Sequence, residues 1–138
     1  MTIVLDASAA LAWVFPRARD EEAQAAKALL GRLEEEEALA PSIWHLEVTN
    51  ALVTARRRAA ITDAKALDFL SRLDALAIQT PGASADRSKP RLFLLAGQYD
   101  LSAYDAAYLD LALETGASLA TFDAKLAAAR DRAGVPAA

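Results

Sequence analysis

The run Thr2-Ile-Val-Leu5 is continuously apolar, rich in β-branched residues, and closed at once by a carboxylate, Asp6. Such a run fits a strand buried on both faces of a parallel sheet, which points to an α/β architecture. The same arrangement returns late in the chain, where Ser118-Leu-Ala-Thr-Phe122 is followed by Asp123. A carboxylate at the end of a mostly apolar segment is poorly placed for core packing. It is well placed at the rim of a parallel sheet, where open α/β folds keep their sites. Two further acids stand at element boundaries: Glu47 in Trp44-His-Leu-Glu-Val-Thr-Asn50, and Asp105 in Leu101-Ser-Ala-Tyr-Asp-Ala-Ala-Tyr-Leu109. If the four converge, they form an acidic pocket that needs a cation. Like charges a few ångströms apart raise one another's pKa or recruit a metal, and oxygen-only ligands favour a hard ion such as Mg²⁺ or Mn²⁺. The chemistry that follows is metal-dependent phosphoryl chemistry.

Between these points, strand and helix signals alternate. Ala7 to Phe15 reads as a short helix ending before Pro16, and Asp20 to about Glu37 as a long one whose solvated end is Glu34-Glu-Glu-Glu37. Ala38-Leu-Ala40 is a short strand, and Pro41-Ser42 opens a helix to about Arg58. On that helix Trp44, Val48 and Leu52 form an apolar stripe, and Glu47, Asn50 and Thr54 a polar one, as on a cleft wall. Thr62 caps a helix through about Leu76 with Leu67, Leu70, Leu73 and Leu76 facing inward. Ile78-Gln-Thr80 reads as a short strand, Pro81-Gly-Ala-Ser84 as a loop, and the segment after Pro90 as a helix to about Tyr99. Ser102 caps the most amphipathic helix, Ala103 to Thr115, which stops at Gly116 and leads into the strand Ala117 to Thr121. That helix, ~13 residues at ~1.5 Å each, spans about 20 Å, so its N-terminus and Asp105 reach the same sheet edge as Asp6 and Asp123. Together the signals describe a three-layer α/β/α sandwich with a mainly parallel central sheet.

At 138 residues and 54% hydrophobic content, without a Pro/Gly/Ser-rich linker, one domain spanning residues 1–138 is expected. The formal charge of −4 argues against holding nucleic acid by bulk electrostatics alone, although basic residues cluster in Arg56-Arg57-Arg58 and Arg87-Ser-Lys-Pro-Arg91. The absence of cysteine removes disulfides, thiolate nucleophiles and Cys-ligated zinc, and fits a cytoplasmic setting. No basic start followed by a long apolar stretch is present, so neither secretion nor membrane spanning is expected.

Four segments taken in order resemble the PIN-domain family, in particular the VapC-like ribonuclease toxins of toxin–antitoxin pairs: Val4-Leu-Asp-Ala-Ser8, Glu47-Val-Thr-Asn-Ala-Leu52, Leu101-Ser-Ala-Tyr-Asp-Ala-Ala-Tyr-Leu-Asp-Leu-Ala112, and Leu119-Ala-Thr-Phe-Asp-Ala-Lys-Leu126. The resemblance implies a divalent-metal-dependent RNA endonuclease, a homodimer, and a cognate VapB-like antitoxin that neutralises it. It also implies that Asp6, Glu47, Asp105 and Asp123 bind the metal, with Ser8, Asn50 and Thr121 as nearby polar support. In that scheme Asp6 is the central ligand, Asp105 and Asp123 complete the metal shell directly or through water, and Glu47 binds metal or orients the attacking water.

Plainer uses compete for each residue. Asp6 could serve only as an N-cap, and Asp105 and Asp123 only as first-turn partners of a helix dipole worth ~0.3–1 kcal/mol. Asp110 lies about 140° around the helix from Asp105, and His45 about 200° from Glu47, so neither is placed in the site. Trp13, Trp44, Tyr104 and Tyr108 could stack on bases but are expected as core or dimer contacts, and Arg56 to Arg58 could contact RNA but are expected as a solvated helix end. A haloacid-dehalogenase-like phosphatase would need a second acid where Ser8 stands, and a response regulator an acidic pair that is missing. The alternatives kept are a PIN-like RNA-binding or interaction module without turnover, and a PIN nuclease of RNA processing without an antitoxin.

Overall fold

The computed structural model of the chain describes residues 1–81 and 88–138. Strand β1 (Thr2–Leu5) lies between β2 (Glu37–Leu39) and β3 (Ser118–Ala120), and both pairings are parallel. Val4 aligns with Leu39 on one side and Leu119 on the other, and Leu5 with Ala120. Ile3, Val4, Leu5 and Leu119 are fully buried, as expected of strands covered on both faces. Each outer edge carries one further bridge, Gln79 on Leu39 and Ala137 on Leu119, which shortens the exposed edges. The strand expected over Ile78–Thr80 is thus a single bridge at Gln79.

Helices flank this sheet. In chain order they are α1 (Ala7–Leu11), α2 (Asp20–Arg32), α3 (Ile43–Arg57), α4 (Asp63–Ala75), α5 (Lys89–Tyr99), α6 (Ala103–Thr115) and α7 (Ala124–Arg132). The α/β class with a parallel sheet is the one the sequence indicates, with corrections at several boundaries. Helix α1 stops at Leu11 rather than Phe15, because Trp13, Val14 and Phe15 tuck in turns against the core and the Trp13 indole N–H donates to the Ala26 carbonyl at 2.8 Å. Helix α2 ends at Arg32, where Leu33 turns into the core. Glu34 to Glu36 form the turn and Glu37 already belongs to β2. On α4, Thr62 caps as expected, but Leu67 is exposed while Phe69 and Leu73 are buried. A strict three-residue spacing drifts about 60° per step on a helix of 3.6 residues per turn, so Leu67 and Leu76 cannot share one face. The loop expected at Pro81–Ser84 lies, beyond Pro81, outside the described residues, as does Arg87.

Helix α6 departs most from expectation. It is not the most amphipathic helix but the most enclosed, burying Ala106, Tyr108, Leu109, Asp110, Leu111 and Ala112 around its circumference. It packs on β1 and β3 and is covered by α5 and α7. Its ends are those read from sequence: Ser102 Oγ accepts from Asp105 N–H at 3.1 Å, and Gly116 closes it at φ 68°. A Cβ added at Gly116 would meet nothing within 4 Å, so only the backbone would resist it. Gly116→Ala should therefore cost about 1 kcal/mol, read as a lower urea midpoint with an unchanged slope.

Among the described residues no helix is long and apolar enough to cross a membrane. The strand order β2-β1-β3 sends the chain from β1 first to one side of the sheet and later to the other. In an open parallel sheet such a reversal leaves a crevice at the carboxyl ends of the two strands that part, here β1 and β3.

Candidate functional site

Asp6 sits in that crevice. Its N–H donates to the Ala120 carbonyl at 3.0 Å, extending the β1–β3 ladder so that Asp6 and Thr121 leave the sheet side by side. It occupies the N-cap position of α1, yet its side chain makes no capping hydrogen bond. Instead the carboxylate, only 4% exposed as a residue, takes two hydroxyls on one oxygen: Ser8 Oγ at 2.5 Å and Thr121 Oγ1 at 2.7 Å, both to Oδ2. Each hydroxyl is aimed by a backbone N–H. Phe122 N–H donates to Ser8 Oγ at 2.9 Å and Asp123 N–H to Thr121 Oγ1 at 3.0 Å, which leaves the single hydroxyl protons for Asp6. Burial pushes the Asp6 carboxyl above its usual range, and these hydrogen bonds, with those from the Ala7 and Ser8 backbone, only partly oppose it.

The other three acids arrive from separate elements. Asp105, in the first turn of α6, is half-buried, and its carboxyl is raised by burial, then by the charges of Asp123 and Asp6, with Lys125 pulling the other way. Glu47, on α3, is raised by burial and by the charges of Asp6 and Asp105, against a hydrogen bond from Tyr108. Asp123 caps α7, its Oδ2 accepting from Leu126 N–H at 2.9 Å, which leaves Oδ1 free of that duty. The charges of Asp6, Glu47 and Asp105 therefore act on one another, while Asp123 and the opposing cation Lys125 adjoin them through Asp105.

Tyr108 belongs with them. Its sequence reading as a core or dimer contact is half of the observation: the ring is fully buried, but the hydroxyl donates to Glu47 Oε1 at 2.6 Å. Burial and the neighbouring carboxylates push the phenol far up, so it stays a donor. The signal for it was present, since Tyr108 follows Asp105 by three residues and so shares its helix face. Of the three polar supports, Ser8 and Thr121 hold Asp6, whereas Asn50 is exposed and joins none of the hydrogen bonds around the acids among the described residues.

Other candidates lie apart. Asp110 is buried against Arg91, away from the four acids. His45 bonds Thr80 Oγ1 at 2.8 Å and stands edge-on to Trp44 at 5.0 Å. Arg56, Arg57 and Arg58 end α3 in solvent, with Arg56 3.8 Å from Asp63.

The donor set suits a hard cation: oxygen ligands, excess negative charge, and a half-open position at a sheet edge. Among the described residues no three acids stand close enough to ligate one metal directly. The fit is therefore to an ion such as Mg²⁺, which keeps several of its waters and takes only one or two carboxylates.

The PIN domain family profile matches residues 3–131. The crystal structure of PAE2754 from Pyrobaculum aerophilum is similar at 23% identity and a TM-score of 0.65, over 94% of this chain and 87% of that one. Identity at that level speaks to the fold. No curated protein matches the chain.

Proposed function

Because the chain belongs to the PIN-domain family, whose members are in general nucleases, we propose that it is a divalent-metal-dependent endoribonuclease and the VapC-like toxin of a toxin–antitoxin pair. One observation carries the reading: the carboxylates of Asp6 after β1, Glu47 of α3 and Asp105 of α6 act on one another's charge beside the sheet's switch point, and Asp123 at the start of α7 adjoins them through Asp105. Mutual repulsion of this kind is sustained where a cation and a phosphate are to be held.

Asp6, Glu47, Asp105 and Asp123 would hold a hydrated Mg²⁺ or Mn²⁺, one or two of them directly and the others through its waters. When bound, the ion would neutralise charge on the phosphate oxygens and lower the pKa of a water. The protein's own work is positional. Ser8 and Thr121 lock Asp6 in place, Asp123 is pinned through one oxygen by Leu126, and Tyr108 fixes Glu47. Burial of Asp6 limits water around it. No catalytic histidine is required, and the sole one, His45, hydrogen-bonds Thr80.

The surface supports the toxin form of the reading. Leu46, Phe93, Leu94 and Tyr104 are large, apolar and exposed, as a homodimer contact requires. A cleft of about 200 Å³ between α3 and α4, lined by Leu52, Val53, Leu67 and Leu70 together with Thr49, Arg56 and Asp63, has room for an apolar anchor side chain of an antitoxin.

Purified protein should cut total cellular RNA into discrete fragments with Mg²⁺ or Mn²⁺, leave it intact with EDTA, and fall silent when its antitoxin is bound. RNA bound but uncut in every metal would replace the nuclease with a binding module. Equal cleavage with and without the protein encoded beside it would remove the toxin role and leave a processing nuclease.

A further inference from the structure

Helix α3 ends in Arg56, Arg57 and Arg58, and the turn of the helix sends these neighbouring cations in different directions. At ~100° per residue, Arg58 comes round to within about 20° of Glu47, whereas Arg56 lies about 180° away. The two sides of the helix differ. Arg56 lines the cleft against α4 and stands 3.8 Å from Asp63. On the side of Glu47, Thr54 at about 20° and Asn50 at about 60° fill the interval to Arg58, while Trp44, Val48, Leu52 and Ala55 form a separate line against the core. No member of the polar row is buried, for Asn50 and Arg58 are exposed and Glu47 and Thr54 partly so. The side chains of Asn50, Thr54 and Arg58 have no hydrogen-bond or ion-pair partner among the described residues.

A protein of net charge −4 repels a phosphate backbone as a whole, so a strand brought to its acids must be held by a few local cations and donors. Arg58 follows Glu47 by eleven residues, which is about 16 Å along the helix axis at ~1.5 Å per residue. A nucleic-acid strand advances ~3.4 Å per nucleotide when stacked and further when drawn out, so that span covers at most about five nucleotides. Amide and hydroxyl side chains such as Asn50 and Thr54 bond sugar and phosphate oxygens without regard to sequence. We propose that this face of α3 is a substrate track: the RNA strand leaves the cation site past Asn50 and Thr54, and Arg58 holds a phosphate within about five nucleotides of the cut. The track rests on the reading of the four acids as a nuclease site. It makes the adjacent arginines unequal, with Arg58 a positioning residue for the substrate and Arg56 outside the path.

Single-turnover cleavage of total cellular RNA in Mg²⁺, over a series of KCl concentrations, separates the two. Below half-saturating protein, Arg58→Ala should cut about fivefold more slowly than the wild type, as the loss of one exposed ion pair implies. Its slope of log rate against log salt should be shallower by about 0.7, the share of one phosphate contact on a single strand. At saturating protein the two should cut equally fast, because capture of the strand is weakened and its hydrolysis is not. Arg56→Ala should match the wild type throughout, and Arg58→Lys, which keeps the charge, should keep the wild-type slope. An unchanged slope in Arg58→Ala overturns the proposal and leaves Arg58 as a cation closing the helix dipole. An equal loss in Arg56→Ala overturns it as well, since a diffuse basic patch would then replace a track. A wild type that cuts no RNA is a different result and overturns the nuclease reading itself.

Discussion

Asp6→Asn should lower RNA cleavage by roughly 10²–10³-fold while raising the melting temperature of the metal-free protein at pH 7. Both halves follow from the same two hydrogen bonds. Ser8 and Thr121 donate to one oxygen, Oδ2, so the single carbonyl oxygen of an asparagine can take both and the local geometry survives. What disappears is the negative charge. Catalysis loses the acid that lies deepest in the cluster, whereas folding loses a charge that burial disfavours. The sign of the pH dependence is fixed by the raised pKa. The folded protein binds this proton more tightly than the unfolded chain does, so Asp6's contribution to stability is full below about pH 4 and is lost as pH rises through its raised folded value. The advantage of the asparagine variant should then be largest near neutral pH and shrink toward pH 4 in thermal melts. Mg²⁺ should raise the melting temperature of the wild type more than that of the variant, since only the wild type offers the full charge. A variant that cleaves normally would take Asp6 out of the chemistry, and one that melts below the wild type at pH 7 would refute the electrostatic account of its burial.

The parts of this fold legible from the chain are those governed by local rules. Asp6 after a buried strand, the Ser102 and Thr62 caps and Gly116 at a left-handed stop are each settled by two or three neighbouring residues, and the structure has them where the sequence puts them. What was missed depends on packing across the fold. Helix α6 carries apolar residues on more than one face because sheet and helices enclose it, whereas the sequence reads it as the most amphipathic helix of the chain. The end of α2 is set by Leu33 entering the core rather than by any stop signal. Tyr108 was seen as apolar bulk because its hydroxyl finds its partner 61 positions away in sequence. The four acids could be named from their boundary positions, but the chain alone does not say that the segments ending in Asp6 and leading to Asp123 run side by side, which follows from the strand order.

Arg91→Ala should destabilise the protein by about 3 kcal/mol, a large loss for one side chain on a helix surface. Asp110 projects from α6 into the protein, nearly inaccessible to solvent, and its carboxylate is met there by Arg91 of α5. The two groups are unequal. Arg91 is half exposed and could return to water unaided, whereas Asp110 could not. Removing the arginine leaves a buried charge without its partner, which is the costly way to break such a pair; the low end of the usual range applies because the guanidinium side already touches solvent. Leu95 is the one buried residue of α5 among those described, and α5 packs chiefly on α6, so the damage should fall on the α5–α6 contact. The double variant Arg91→Ala/Asp110→Asn separates charge from packing. If the loss comes from the stranded carboxylate, urea unfolding should show the double variant recovering more than half of the deficit, a strongly non-additive result. A double variant as unstable as the single one would mean that the Arg91 stem, packed over α6, holds α5 in place, and that the charge on Asp110 contributes little.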